Sequence, residues 1–104
     1  MKIAVASESN EGLEATVSGH FRMCPYFTVL NVENGEVEKI EIKENTFADG
    51  HGQPGELPNF IKSLGAEVII AGGMGPKAVN FFNQFGIKTV TNVSGKIEDI
   101  LKNL

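Results

Sequence analysis

The chain is poor in the residues that a small domain uses for reinforcement or for membrane insertion. Its 104 residues include one cysteine, Cys24, so an internal disulfide is impossible and a reducing, cytoplasmic setting is expected. No apolar run is long enough to cross a membrane, and the apolar start over residues 1–6 is too short for the core of a signal peptide. We therefore expect a single domain over residues 1–104 that is stabilised by its own core.

Positive charge and aspartate are also scarce. Nine lysines and arginines stand against 13 aspartates and glutamates, for a net charge of −4, and no basic cluster indicates nucleic-acid binding. The only aspartates are Asp49 and Asp99, and the apolar segment 2–6 carries no carboxylate of the kind that a two-metal nuclease needs. The nucleophile motif GxSxG is absent as well. These absences favour a binding protein over an enzyme.

Three segments carry apolar residues at the i, i+3, i+4, i+7 spacing of a helix with one buried stripe. The three sets are Leu57, Phe60, Ile61 and Leu64; Ala78, Phe81, Phe82 and Phe85; and Ile97, Ile100, Leu101 and Leu104. Pro58 and Pro76 fall in the first turns of the first two helices. Gly65 and Gly86 follow their ends, and Ser94 is the expected N-cap of the third helix.

Short apolar or alternating runs predict five strands. They cover residues 2–6, 26–32, 37–43, 67–71 and 87–90. Asn34-Gly35 joins the second and third strands as a two-residue hairpin turn, because both residues tolerate positive φ. The last two strands flank a helix and are expected to be parallel, with a right-handed crossover. The sequence therefore predicts an α/β fold, with a mixed five-stranded sheet and three helices on its faces.

The expected strand directions bring several loops to one edge of the sheet. If the first, fourth and fifth strands are parallel and the second is antiparallel to the first, residues 7–10, the segment 18–25, the loop 44–55 and the loop 72–75 share that edge. Ligands favour the carboxyl ends of strands in open α/β sheets. We therefore expect a binding site there.

The histidines and the single cysteine all fall on these loops. His20 and Cys24 are four residues apart, and His51 lies between two glycines. Thiolate and imidazole suit soft and borderline metals. Each of the three residues alone is better explained as an ordinary loop or core residue, but their shared edge leads us to expect a metal or cluster contact. They cannot supply the four thiolates of a standard iron–sulfur cluster, which would have to be partly ligated or shared across a homodimer. Zinc with a water ligand is an alternative, without a matching zinc motif.

A glycine-rich turn precedes the second helix. Gly72, Gly73, Met74 and Gly75 would let a ligand approach the backbone, and the free N–H groups at the helix start attract anions, with Lys77 adding charge. The alternative is a plain tight turn. The spacing matches neither GxxxxGK[ST] nor GxGxxG.

Taken together, several segments resemble the dinitrogenase iron–molybdenum cofactor biosynthesis family. These are MKIAVAS, SGHF with CPYF, an HG pair, VIIAGGMGPKA and GKIEDIL. The family includes NifX-type and NafY-type carriers and the C-terminal region of some NifB proteins. The resemblance implies a ribonuclease H-like fold. It also implies non-catalytic binding or carrying of an iron–sulfur or iron–molybdenum cofactor, or its precursor, between cluster donor and acceptor proteins.

The resemblance also implies site residues. His20, Cys24 and His51 would contact the metal, and the turn from Gly72 to Gly75 would lie beside the ligand. Where the family usually reads HFGR, this chain has Arg22 and Met23 after Phe21. Arg22 would resist the close backbone approach that glycine allows, but it would meet an anionic ligand.

Two other function classes stay open. The helix stripes and the hairpin edge would suit a metal-free protein-interaction or regulatory module. A ribonuclease H-like hydrolase is the other alternative, and the missing strand carboxylates weigh against it.

Overall fold

The five expected strands form one mixed sheet in the computed structural model, which describes residues 1–48, 50, 52, 53 and 55–103. The strands are β1 (Lys2–Ser7), β2 (Tyr26–Glu33), β3 (Glu36–Glu44), β4 (Val68–Ile70) and β5 (Lys88–Val90), in the spatial order β3-β2-β1-β4-β5. Strand β2 is antiparallel to both neighbours, β4 is parallel to β1, and β5 is parallel to β4. The predicted α/β class and strand directions are confirmed.

The three expected helices are present in the described part of the chain. They are α1 (Glu56–Ser63), α2 (Pro76–Phe85) and α3 (Ile97–Leu101), and a short 3-10 turn covers Gly12–Glu14. Pro76 occupies the first position of α2, and Gly86 ends that helix with a φ of 75°. Left-handed glycine is a common helix terminator because it has no Cβ to clash. None of the helices that the structure describes has the length and apolar character needed to cross a bilayer.

The prediction that Ser94 caps α3 is wrong. The N-cap is Lys96, without a side-chain hydrogen bond. The start of α3 is set instead by backbone pairing with a distant segment: Val17 N–H donates to Gly95 O, and Ile97 N–H donates to Ala15 O. Because this pairing is tertiary, it is invisible in the local sequence.

The hairpin turn at Asn34-Gly35 is confirmed. Both residues have positive φ, 54° and 80°, as the tight turn between β2 and β3 requires. A bulge between Asn31 and Val32 shifts the register of the two strands. The resulting β3 is a nine-residue strand at the edge of the sheet.

Strand alternation divides the core between the two faces of the sheet. On one face, Ala4, Ala6, Ile69 and Ala71 pack with α1, α2 and the buried rings of Phe21 and Phe27. On the other, Ile3, Val5, Val68 and Ile70 pack with α3 and the segment 13–17. We call these the aromatic face and the aliphatic face.

Candidate functional site

Two loops are joined by backbone hydrogen bonds at the predicted edge of the sheet. Gly72 N–H donates to Ser18 O at 2.7 Å, and Phe21 N–H donates to Gly73 O at 3.0 Å. The loop after β4 is therefore fastened to the segment that leads into β2. This is the juxtaposition that the strand directions predicted.

The first two glycines of the turn are needed for this contact. A Cβ on Gly72 would lie 2.9 Å from Gly19 Cα, and a Cβ on Gly73 would lie 2.6 Å from Gly19 O. Both distances are too short for real atoms, and backbone atoms cannot yield as a flexible side chain would. Gly72 and Gly73 are thus explained by the packing of loop on loop, before any ligand is considered.

A pocket of about 820 Å³ opens beside the joined loops, on the aromatic face. Its apolar lining comes from the turn after Gly19 and from helices α1 and α2: Phe21, Leu57, Pro58, Ala78 and Phe81. Small-molecule and cofactor sites have volumes of roughly 300 to 1,000 Å³ and mostly apolar walls. The size and the lining of this pocket fall in that class.

The charged residues of the lining are all basic. Among the described residues, Arg22 and Lys77 line the pocket together with His20, and no carboxylate does. Both cationic side chains are exposed. A cationic pocket in a chain of net charge −4 favours an anionic ligand.

His20 and Met23 lie on one tight turn. Cys24 N–H donates to His20 O at 3.1 Å, which closes the turn. His20 and Met23 line the pocket, as does Met74 from the facing loop. The Met23 side chain is 68% exposed. The structure thus brings together His20, Arg22, Met23, Gly73, Met74 and Gly75 of the predicted site.

Cys24 points the other way, into the core. The residue is 1% exposed, and its thiol donates to Phe21 O at 3.3 Å. Burial raises the pKa of the Cys24 thiol to about 11, because an ionised thiolate loses its hydration there. The thiol is therefore protonated at neutral pH. The thiolate is the form that binds metals. Cys24 is buried in the core, whereas its expected partner His20 lines the pocket.

Asn45, which the sequence reasoning missed, holds the turn in place. Its side-chain amide donates to Arg22 O at 2.9 Å and to Cys24 O at 2.7 Å, and lies 3.8 Å from the Cys24 sulfur. Asn45 is 5% exposed and directly follows β3. Its position on the expected edge was the only signal for it, because an asparagine after a strand usually belongs to an exposed turn.

Predicted site residue His51 lies outside the described residues. Within the described ranges, no three histidine, cysteine, aspartate or glutamate side chains are grouped to hold a metal ion. The predicted metal contacts of His20, Cys24 and His51 accordingly stay predictions.

Gly55 also shapes the pocket, and the sequence reasoning did not single it out. It has a φ of 94°, and a Cβ there would lie 2.9 Å from the Phe81 ring. Its only sign in the sequence was the group of glycines at 50, 52 and 55, which predicted a loop but did not distinguish Gly55 from the other two.

Comparison with known proteins places these features in a family. The chain is 35% identical to the uncharacterized protein MJ0580 of Methanocaldococcus jannaschii over 103 residues, which are 98% of this chain and 83% of the relative. The crystal structure of PH0822 superposes with a TM-score of 0.87 at 38% identity, covering 98% of this chain and 87% of the other. The solution structure of a proposed NifB protein from Thermotoga gives 0.79 at 28% identity, covering 97% and 84%.

The family model described as "Dinitrogenase iron-molybdenum cofactor" matches residues 1–104. The match spans both loops of the pocket, the whole sheet and all three helices. The chain therefore belongs to the dinitrogenase iron-molybdenum cofactor family.

Proposed function

We propose that this protein binds and carries an anionic iron–sulfur or iron–molybdenum cofactor, or a precursor, and passes it between donor and acceptor proteins without catalysing a reaction. The observation that carries the proposal is the 820 Å³ pocket whose charged lining, within the described residues, is Arg22 and Lys77. Family membership supports the class of cargo. The buried free thiol supports a reducing, cytoplasmic setting.

The lining suits non-covalent retention of such a cargo. Arg22 presents a planar set of donors, and Lys77 presents a mobile point charge. The backbone N–H groups of Gly75, Lys77 and Ala78, at the start of α2, add partial positive charge at the same wall. His20 presents an imidazole that would ligate an exposed metal atom. The imidazole of His20 would therefore contact metal atoms at the cluster surface, and Arg22, Lys77 and the backbone N–H groups would contact its sulfides.

Cys24 does not fit the role of resident thiolate in this conformation. Coordination through its sulfur needs the turn closed by Cys24 N–H and His20 O to open, and it needs a thiol with a pKa of about 11 to lose its proton. We propose that Cys24 is a packing residue of the turn. The strand order, with β2 running against the other four strands, supports the ribonuclease H-like description of the fold, which we retain as part of the proposal.

The test is anaerobic titration of the protein with isolated iron–molybdenum cofactor, followed by metal analysis and visible spectra. A double variant, Arg22→Ala with Lys77→Ala, should bind at least about ten-fold more weakly, because each desolvated charge pair contributes on the order of 1 kcal/mol or more. The matched control is Lys96→Ala with Lys102→Ala. It removes the same charge from exposed positions at and beside α3 and should bind as the unaltered protein does.

Two results would count against the proposal. Equal binding by both double variants would show that net charge alone, and not the pocket, attracts the cofactor. Loss of binding in a Cys24→Ala variant that is still folded under the conditions of the assay would assign the cargo to the thiol instead of the pocket.

The exposed edge strand supports a second candidate, a protein-interaction module. Ile40 and Ile42 of β3 are 42% and 36% exposed, and an unpaired strand edge is a template for pairing with another chain. Sedimentation of the metal-free protein, alone and as Ile40→Lys, distinguishes the two roles. Association that is independent of the cofactor and abolished by Ile40→Lys favours the module.

A further inference from the structure

Strand β3 is a long strand with an unpaired edge. It spans nine residues and lies at one end of the described sheet, with β2 as its neighbour. Edge strands in soluble proteins are usually short, or are kept from pairing with another chain by their charges. Ile40 and Ile42 are instead 42% and 36% exposed on this strand. The cofactor pocket does not explain them, because its described lining includes no residue of β3.

The hydrogen-bond pattern of the sheet shows which backbone groups of β3 face outward. Asn45 N–H donates to Pro25 O at 3.0 Å, in line with the register of β2 and β3. Every second pair in an antiparallel ladder is hydrogen-bonded, so the odd-numbered positions that precede Asn45 bond to β2. The N–H and C=O groups of Ile40, Ile42 and Glu44 therefore point away from β2, toward the outer edge.

The two exposed isoleucines extend the aliphatic face to that edge. Ile40 and Ile42 lie opposite Leu30 and Thr28 of β2, and Leu30 is part of the buried aliphatic cluster. Residues directly opposite each other in a sheet project from the same face. An added strand would therefore continue the sheet and cover apolar side chains that β3 now exposes.

The charged residues on the other side of β3 alternate in sign. Lys39 Nζ lies 2.9 Å from Glu41 Oε1, and Lys43 Nζ lies 3.8 Å from Glu41 Oε2. Such a row is complementary to an antiparallel copy of itself when a lysine of one copy faces the carboxylate of the other. The charges that would repel an arbitrary strand thus favour one partner, a second copy of this chain.

We propose that two copies of this protein pair antiparallel through the β3 edge, with Ile42 of each copy on the two-fold axis. Glu41 of one copy then faces Lys43 of the other, twice by symmetry. The pairing occupies the β3 edge of both copies, so the assembly closes at two. The proposal names the partner of the interaction surface put forward above, and it does not depend on cofactor carriage.

Charge and the β-bulge together select this register. Pairing centred on Glu41 would place Glu41 opposite its own copy and Lys39 opposite Lys43, and like charges directly opposite each other are destabilising. Pairing centred on Ile40 would need Glu38 as a hydrogen-bonding position. The register shift that separates Asn31 from Val32 leaves Glu38 without a residue opposite it, and a bulge disrupts the ladder locally.

The first experiment is sedimentation equilibrium of the metal-free protein over a range of concentrations. Glu41→Lys and Lys43→Glu should each weaken self-association about ten-fold or more, because each replaces two attractive cross-strand pairs with two repulsive ones. An equimolar mixture of the two variants should associate as the unaltered protein does, since each chain supplies the charge that the other lacks. Recovery in the mixture also shows that both variants are folded.

The matched control is Lys39→Glu. It changes the net charge as Lys43→Glu does and also puts a carboxylate beside Glu41 within the strand, but in the proposed register it faces position 45 of the second copy, an uncharged asparagine. Its effect on self-association should be less than about two-fold. Equal weakening by Lys39→Glu and Lys43→Glu overturns the proposal, as does a mixture of Glu41→Lys and Lys43→Glu that stays monomeric.

The second experiment is amide hydrogen exchange measured by NMR at increasing protein concentration. The N–H groups of Ile40, Ile42 and Glu44 should become protected as the dimer forms, whereas the odd-numbered positions between them already bond to β2 and should change little. Protection that rises with concentration elsewhere and not at these three amides overturns the pairing. So does a protein that stays monomeric at the millimolar concentrations used for NMR.

Failure of this dimer is distinguishable from failure of the proposed cargo. If the protein is monomeric but the Arg22→Ala, Lys77→Ala variant still loses the iron–molybdenum cofactor, only the β3 pairing is wrong. If the mixture of charge variants associates as expected and that double variant keeps the cofactor, only the anionic-cargo proposal is wrong.

Discussion

The two faces of the sheet differ in the side chains that the central strand β1 contributes to them. On the aliphatic face, the strands contribute large side chains such as Ile3 and Val5, and the covering segment contributes Ala15 and Val17. On the aromatic face, β1 contributes Ala4 and Ala6, and the loop and α2 that cover them contribute the Phe21 and Phe82 rings. Large rings therefore cover small β1 side chains on the aromatic face, whereas branched aliphatic side chains meet one another on the aliphatic face.

The difference matters because one of those rings comes from a loop. Phe21 lies 5.7 Å from Phe27 and 5.4 Å from Phe82 between ring centroids, the latter pair edge to face. Aromatic pairs of this kind add about 0.5 to 1.5 kcal/mol beyond their burial. The ring anchors the turn from His20 to Cys24 on the core, which leaves the neighbours of Phe21 to form the pocket wall. The aromatic face is therefore the face that builds a site.

The largest expected effect comes from removing that anchor. Phe21→Ala should lower the free energy of unfolding by about 3 to 5 kcal/mol, and Ile97→Ala on the aliphatic face by about 2 to 5 kcal/mol. Only the first variant should also change the methyl NMR signal of Met74. Urea denaturation with the methyl spectrum measures both quantities. A Met74 signal that is unmoved by Phe21→Ala, or moved equally by Ile97→Ala, would show that the faces do not differ in this way.

A smaller effect is expected where the two loops touch. Gly73→Ala puts a Cβ 2.6 Å from Gly19 O and should cost about 3 kcal/mol, because neither backbone can move without breaking the bond from Phe21 N–H. Gly75→Ala, two residues on, meets nothing within 4 Å and should cost less than about 1 kcal/mol. Thermal or urea unfolding of both variants is the measurement. Equal costs would mean that close approach is not the reason for glycine at position 73.

The smallest expected effect is a pH dependence that only the aromatic face carries. The Cys24 thiol keeps its proton in the folded protein up to a pKa of about 11, whereas the same thiol in the unfolded chain has its ordinary pKa of 9.0. Between these values the unfolded chain has released a proton that the folded chain retains, so stability falls as pH rises. The loss should reach about 2 kcal/mol near pH 11 and be absent below pH 8.

The control for this dependence is Cys24→Ala. The cavity lowers its stability at every pH, but the additional alkaline slope should vanish. Urea midpoints measured from pH 7 to 11 give the comparison. The same slope in both proteins would mean that other groups cause it and that the thiol is not held neutral by the core.

Much of the fold could be predicted from the sequence because it depends on local patterns. The apolar spacing of Leu57 and Ile61 and the glycine at 86 locate helices from their own residues, and Asn34-Gly35 locates the hairpin. The strand directions followed from the order of these elements. The prediction that Ser94 caps α3 was wrong because the start of α3 depends on backbone pairing with residues 15–17, some 80 positions earlier.

Only part of the site could be predicted from the sequence, for a related reason. His20, Met23 and the turn after β4 were assigned to one edge by topology, and the pocket brings them together. The orientation of Cys24 was not predictable, because His20 and Cys24 have the same loop context in the sequence. Only the contacts of Phe21 and Asn45 decide which of the two faces the core.

By itself, then, the order of residues determined the α/β class, the sheet directions and the edge where chemistry collects, since periodicity and turn preference act over a few neighbouring positions. Tertiary structure decided which donors reach the pocket. It buries the one thiol, exposes Met23, and makes Gly72 and Gly73 a seam between loops, because these outcomes depend on atoms brought into contact from distant parts of the chain.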